Sequence, residues 1–231
     1  MSKIAIVVGA GPGLGAAVAR RFAREGFAVG VVARKPETVE GLAQAIGGRA
    51  FAADTSDAVS VARLFTEVRA TLGTPDVLVY NASAFRMGGI LEVSPEEFEA
   101  CWKVGCLGAF LCAREVLPAM VERAAGTILL TGATASMRGS GRFSCLAVGK
   151  FGLRALGQSL AREFGARGVH VAHVVIDGQI DSERARSSSP GRPASSFLAP
   201  EAIAEIYWQL HTQSPTAWTQ EIDVRPASEK F

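Results

Sequence analysis

The stretch IAIVVGAGPGLGAAVARRFAREG, residues 4–26, constrains this chain more than any other. IAIVV (4–8) is a short β-branched run, as a strand buried on both faces of a parallel sheet should be. AAVARRFAREG (16–26) has helical spacing and ends at Gly26. Between them, VVGAGPGLG (7–15) sets Gly9, Gly13 and Gly15 in the connection. Gly9 permits a tight turn, Gly13 lets the backbone approach a diphosphate, and Gly15 lets the helix pack on the strand. A glycine triplet alone is a weak signal. A strand before it and a helix after it supply the context that a nucleotide-binding loop requires. The helix N-terminus then offers free N–H groups and a positive dipole end to the phosphates. Gly11 and Leu14 fall in the same loop and join the candidate cofactor contacts.

The rest of the chain repeats the strand-then-helix alternation. Strands are expected at 28–33, 49–54, 76–80, 127–131, 169–176 and 220–224. Helices are expected at 36–48, 57–73, 94–126, 145–165 and 200–211. Ser94, Pro95 and Glu97 mark a capping box and a proline start. The pattern predicts an α/β fold, a single Rossmann-like doubly wound domain with a seven-stranded parallel sheet. It has no internal repeat and no linker, so residues 1–231 read as one domain. The one break in composition is SERARSSSPGRPASS (182–196). It reads as a mobile surface loop, either a disordered insertion or a functional lid.

The second strand ends in VVARKPE (31–37). An acid at its tip would bind ribose hydroxyls. Ala33 is neutral there, and Arg34 and Lys35 follow, so the tip suits a 2′-phosphate and favours NADP(H) over NAD(H). The alternative is two solvated charges that open a surface helix. Asp54, at the end of the third strand, is placed with Thr55 to meet the adenine, or to cap the next helix through Ser56 and Asp57.

Composition narrows the remaining classes. The net charge is +2 with acids and bases mixed, which argues against a nucleic-acid partner. No apolar run is expected to span a membrane, and the N-terminus has no cleavable apolar segment. Cys101, Cys106, Cys112 and Cys145 form no CxxC pair, so four reduced, mostly buried thiols and a cytoplasmic location are expected. His170 and His173 lie three apart in a strand and point to opposite faces, so no metal site is expected.

At this point the chain resembles the short-chain dehydrogenase/reductase family along its whole length. The resemblance rests on GAGPGLG, on YNAS (80–83) and on Gly108 and Phe110 as a GxF. It also rests on Lys150 and on IDGQI (176–180). It implies cofactor contacts from Asn81, Ala82, Gly178 and Ile180 and from Lys150 on the nicotinamide ribose. It implies a homodimer or homotetramer paired through the two longest helices, and a small-molecule substrate that the sequence does not identify. The family's catalytic tyrosine falls on Leu146, its serine on Ala133 and its asparagine on Gly105. Only the lysine matches, as Lys150. Val8, Ser83 and Asp177 are smaller departures. The combination resembles an atypical branch that lacks the tyrosine.

General acid catalysis is worth about 10²–10⁴-fold, and an oxyanion donor about 10²–10³-fold. Without both, simple ketones should be poor substrates, while an activated carbonyl or quinone needs less help at oxygen. Two readings stay open: an NADP(H)-dependent oxidoreductase with a degenerate site, or a non-catalytic cofactor-binding sensor or oligomeric partner. Tyr80 is a weak replacement acid, and Tyr207 reads as core or interface. Ser136, Ser140, Ser144 and Cys145 cluster near Leu146. Arg138 and Arg142 either stabilise an oxyanion or are solvated. Gly149, Gly152 and Gly157 weaken the long helix unless something packs closely on them, and a subunit interface would explain part of that.

Overall fold

The seven expected strands all form, and all run parallel in one sheet. A computed structural model of the chain describes residues 2–228; residue 1 and residues 229–231 of the expected domain lie outside the described residues. The strands are β1 (Ile4–Val8), β2 (Ala28–Ala33), β3 (Arg49–Ala52), β4 (Val77–Tyr80), β5 (Gly126–Thr131), β6 (Val169–Ile176) and β7 (Glu221–Val224). Their order is β3-β2-β1-β4-β5-β6-β7. Chain direction across the sheet therefore reverses beside β1, and a crevice must open outside the carboxyl ends of β1 and β4. The strands β1, β4 and β6 are buried along their whole length, which explains their largely apolar sequences, broken only by His170 and His173 in β6.

Helices cover both faces. On one face lie α3 (Ala58–Thr71), α4 (Pro95–Trp102), α5 (Gly108–Glu122) and α6 (Ser144–Phe164). They enclose a core that includes Phe65, Val116, Met120 and Leu153. On the other lie α1 (Leu14–Arg24), α2 (Glu40–Ala45) and α8 (Pro200–His211), closing over Phe22, Val39 and Tyr207. The short α7 (Glu183–Ser188) stands apart, after β6.

Four expectations need correction. The helix expected over 36–48 is a 3₁₀ turn (Pro36–Thr38) followed by α2, because Val39 leaves helical geometry to bury its side chain. The helix expected over 94–126 keeps its Ser94–Glu97 capping box but is interrupted by a π-helical turn at Lys103–Leu107. Its whole span, Pro95–Glu122, is long and apolar enough to cross a membrane, contrary to the sequence expectation. Those apolar residues are used in the core instead: Ala109, Cys112, Val116 and Met120 are buried against the sheet. The glycines of α6 pack within the chain. A Cβ on Gly149 would meet Gly105 Cα at 3.4 Å, and one on Gly152 would meet Cys106 Sγ at 2.8 Å. The segment 182–196, expected as a surface loop, contains short helical turns. It carries α7, capped by Ser182 Oγ accepting from Ala185 N, and a 3₁₀ turn at Ala194–Ser196.

Candidate cofactor and active site

The glycine loop is fixed by backbone geometry. Gly9 sits at φ +87°, and a Cβ there would lie 2.5 Å from Ala82 N. Only glycine fits such a turn. Gly9 N and Ala10 N both donate to Val32 O, at 2.9 and 3.2 Å. Asn81 Nδ2 donates to Gly9 O at 2.8 Å, and Asn81 N to Val8 O at the same distance. Asn81 thus ties the end of β4 to the loop after β1. A Cβ on Gly15 would collide with Gly9 O, so α1 packs directly on the turn. At Gly11 and Gly13 an added Cβ meets nothing within 4 Å. The loop is therefore closed where it packs and open where an anion would approach. No side chain caps the N-terminus of α1, and no acid stands in its first turn. This end of the helix suits a diphosphate.

A cleft of about 1040 Å³ opens from this loop. Gly9 and Gly11 form one wall, Arg34 and Lys35 another, and Asp54, Thr55, Asn81 and Ala82 a third. Among the described residues Arg34 and Lys35 make no ion pair, so both charges are available to a ligand. Asp54 Oδ1 accepts from Ser56 Oγ at 2.6 Å and Ser56 N at 2.9 Å. These bonds, the hydroxyl's foremost, hold the carboxyl below its ordinary range. The capping of α3 falls to Asp57, whose Oδ1 accepts from Val59 N. Ala33 lines the cleft as expected, and so do residues that the sequence reading missed, among them Phe85, Val104 and Arg184. Phe85 follows the YNAS turn directly, whereas Arg184 comes from the serine- and arginine-rich run and carried no motif.

Gly13, Leu14, Gly15, Lys150, Gly178 and Ile180 do not line this cleft among the described residues. Leu14 and Gly15 are buried under the turn. Gly178 has φ +151° and packs against Pro226, while Ile180 bridges to Leu198 and anchors the segment that follows β6. Asp177, at the family's proline position, accepts from Thr134 Oγ1 at 2.5 Å and pairs with Arg225 at 3.2 Å. A carboxylate there joins the ends of β5, β6 and β7, which a proline could not do.

The four tetrad positions gather around the start of α6. Leu146 is half-buried in its first turn, and Lys150 lies one turn on, 4 % exposed. Lys150 Nζ donates to Thr131 O at 2.6 Å. Burial lowers its pKa to about 8. It is therefore no solvated helix lysine. Ala133 follows β5, and its N donates to Ser136 Oγ at 3.1 Å. Gly105 lies in the π-helical turn, where a Cβ would meet Gly149 Cα at 3.3 Å. An asparagine would push these two elements apart.

Among the replacement groups weighed from the sequence, both tyrosines and Arg142 are otherwise engaged. Tyr80 is fully buried, donates to Val104 O at 2.6 Å, and burial raises its pKa. Tyr207 is buried with its hydroxyl 2.7 Å from Thr131 Oγ1. Arg142 is held by Glu92 through two bonds of 2.9 Å, and Arg138 is exposed. Ser136 and Cys145 are buried, and the Ser144 hydroxyl is enclosed. His170 stacks on Trp218 and bonds Thr219 O, while His173 bonds Glu221, so the two histidines have separate surroundings.

The sheet order, the glycine turn and the cleft at the switch point define a doubly wound dinucleotide-binding domain. The chain belongs to the short-chain dehydrogenase family, whose family model matches residues 3–192. It is 33% identical over 174 residues to D-threitol dehydrogenase of Mycolicibacterium smegmatis, covering 73% of this chain and 67% of that one. A short-chain dehydrogenase from Rhodopseudomonas palustris superposes with a TM-score of 0.82 at 35% identity, covering 97% of this chain and 98% of the other. A metagenomic short-chain oxidoreductase solved in complex with NADP superposes with a TM-score of 0.84 at 30% identity, covering 98% of each chain.

Proposed function

We propose that this chain is an NADP(H)-dependent oxidoreductase whose tyrosine–serine catalysis is absent, acting on a small, activated carbonyl or quinone. One observation carries the reading. An intact phosphate loop and a cationic β2 tip face one cleft, while Leu146, Ala133 and Gly105 hold the positions of acid, oxyanion donor and asparagine. When bound, the dinucleotide supplies the hydride, so hydride transfer itself does not depend on the missing groups. The chain's own residues bind, orient and exclude water. Gly9, Asn81 and α1 hold the diphosphate loop in place. Arg34 and Lys35 meet the 2′-phosphate, which supports NADP(H) over NAD(H). Lys150, which the family resemblance assigns to the nicotinamide ribose, would act there from a buried position bonded to Thr131 O. Phe85 on the cleft wall, in ring contact with Phe143 at 5.6 Å, supports an apolar, uncharged acceptor.

Trp102, Phe110, Val148 and Phe151 are partly exposed along α4, α5 and α6, which supports pairing into a homodimer or homotetramer on that face. Four free thiols fit a cytoplasmic protein. The emptied tetrad also favours a second reading, a non-catalytic cofactor-binding sensor or partner of an active homologue. Titration with NADPH and NADH by tryptophan fluorescence, then NADPH oxidation against quinones, enones and ketones, separates the two. Turnover of activated acceptors supports the enzyme, and tight binding with no turnover on any acceptor favours the second reading.

A further inference from the structure

We infer that Arg184, on α7, is the residue that clamps the cofactor's diphosphate. This rests on the proposed NADP(H) binding and adds a third cation to it. The argument starts from the sheet order. Arg34 and Lys35 enter the cleft from β2, on one side of β1. Arg184 follows β6, three strands away on the other side of β1, yet lines the same cleft as Gly9 and Gly11. To do so α7 must reach back across the carboxyl ends of β5 and β4. It therefore approaches the glycine loop from the side opposite the 2′-phosphate tip.

The segment's other cations are used to build it. Arg186 Nε and Nη2 both donate to Asp181 at 2.6 Å. Arg192 Nε donates to Ser196 Oγ at 2.9 Å, and its Nη1 to Gln179 Oε1 at 3.2 Å. Asp181 N bonds Leu198 O and Leu198 N bonds Gln179 O, which pins both ends of the segment together. Arg184 alone of the three has no hydrogen bond or ion pair among the described residues, and it is the one that lines the cleft. The one carboxylate on the cleft wall, Asp54, is bonded to Ser56. Gly11 and Arg184 line the same cleft, so an anion bound there has the open glycine loop and a guanidinium in one site, a pairing that suits a phosphate.

The test is binding of NADPH, NADH and 2′-AMP to the full chain, wild type against Arg184→Ala and Arg34→Ala, followed by calorimetry. Arg184 is exposed, so its loss leaves the fold intact, which the thermal midpoint verifies. Arg184→Ala should weaken NADPH and NADH by the same factor, about tenfold, and leave 2′-AMP unchanged. Arg184→Lys should restore part of the loss, because it keeps the charge without the fork. Arg34→Ala should weaken NADPH and 2′-AMP but not NADH. Unchanged dinucleotide affinity in Arg184→Ala overturns the clamp alone. A loss confined to NADPH and 2′-AMP also overturns it, by assigning Arg184 to the 2′-phosphate. A wild-type chain that binds neither dinucleotide overturns the cofactor reading and the clamp with it.

Discussion

The two sides of the switch point are built under different constraints. Around β1 and β2, the side chains are small and the backbone decides. Gly9 holds a left-handed turn against Ala82, Gly15 seats α1 on Gly9 O, and Asn81 fastens β4 to the loop. Around β5 and α6, the frame is equally firm but the side chains have changed. Lys150 is buried and bonded to Thr131 O, while Leu146 and Ala133 offer no proton or hydroxyl to a substrate. On the proposed function, the comparison teaches that binding and chemistry are separable in this fold. A phosphate loop made of backbone cannot lose its geometry without losing the fold. An acid on the first turn of a helix can be exchanged for leucine at little cost in packing.

The most forceful way to break the comparison is to spoil the phosphate loop without touching the fold. A side chain at Gly13 meets nothing within 4 Å. Gly13→Asp should therefore fold with a near-normal melting temperature yet lose at least about 100-fold in NADPH affinity, since it places a carboxylate against the diphosphate. Retained affinity by fluorescence titration would show that the loop is only structural. The complementary step rebuilds the other side. Ala133→Ser with Leu146→Tyr should raise steady-state reduction of simple ketones by about 100-fold, within the range of general acid catalysis. No gain, with NADPH affinity intact, would mean that the frame around α6 no longer has reductase geometry.

Lys150 gives an effect of similar size on stability. It titrates near 8 in the fold against 10.5 as a free lysine, because burial disfavours its charge. Below pH 8 both states are protonated and the fold carries the full cost of burying the cation. Between pH 8 and 10.5 the unfolded chain holds more protons, so stability rises with pH. Relative to Lys150→Met, wild type should gain up to about 3 kcal/mol across that window in urea unfolding. A pH-independent difference would show that Lys150 titrates as an ordinary lysine. The smallest effect is at the β2 tip. Arg34→Ala should narrow the NADPH to NADH affinity ratio by about tenfold, and an unaltered ratio would leave Arg34 as surface charge.

How much of this was legible in the sequence follows the same divide. The central strands were readable because parallel strands buried on both faces demand continuous apolar runs such as IAIVV, and the edge strands β3 and β7 by their place in the alternation. The glycine loop was readable because its residues are dictated by backbone space. The π-helical turn at Lys103–Leu107 was not, because an i→i+5 bond has no residue signature of its own. The packing of Gly149 and Gly152 within the chain was not readable either, since their partners Gly105 and Cys106 lie more than forty residues away. Tyr80 showed its address at the end of β4 but not its direction. Its hydroxyl turns to Val104 O and away from any substrate. Arg184 was hidden for the opposite reason: its neighbours suggested a solvated loop, and only the path of the chain from β6 brings it to the cleft.

The central claim is that cofactor binding survives here without the tyrosine and serine that ordinary ketone reduction needs. It is tested most directly by the rate of NADPH oxidation on protein saturated with NADPH, with a quinone and with a simple ketone of similar size. The account predicts turnover of the quinone at least about 100-fold faster than the ketone, matching the loss of an acid and an oxyanion donor. Comparable rates on both acceptors would contradict it, because some group other than Leu146 and Ala133 would then be supplying the proton.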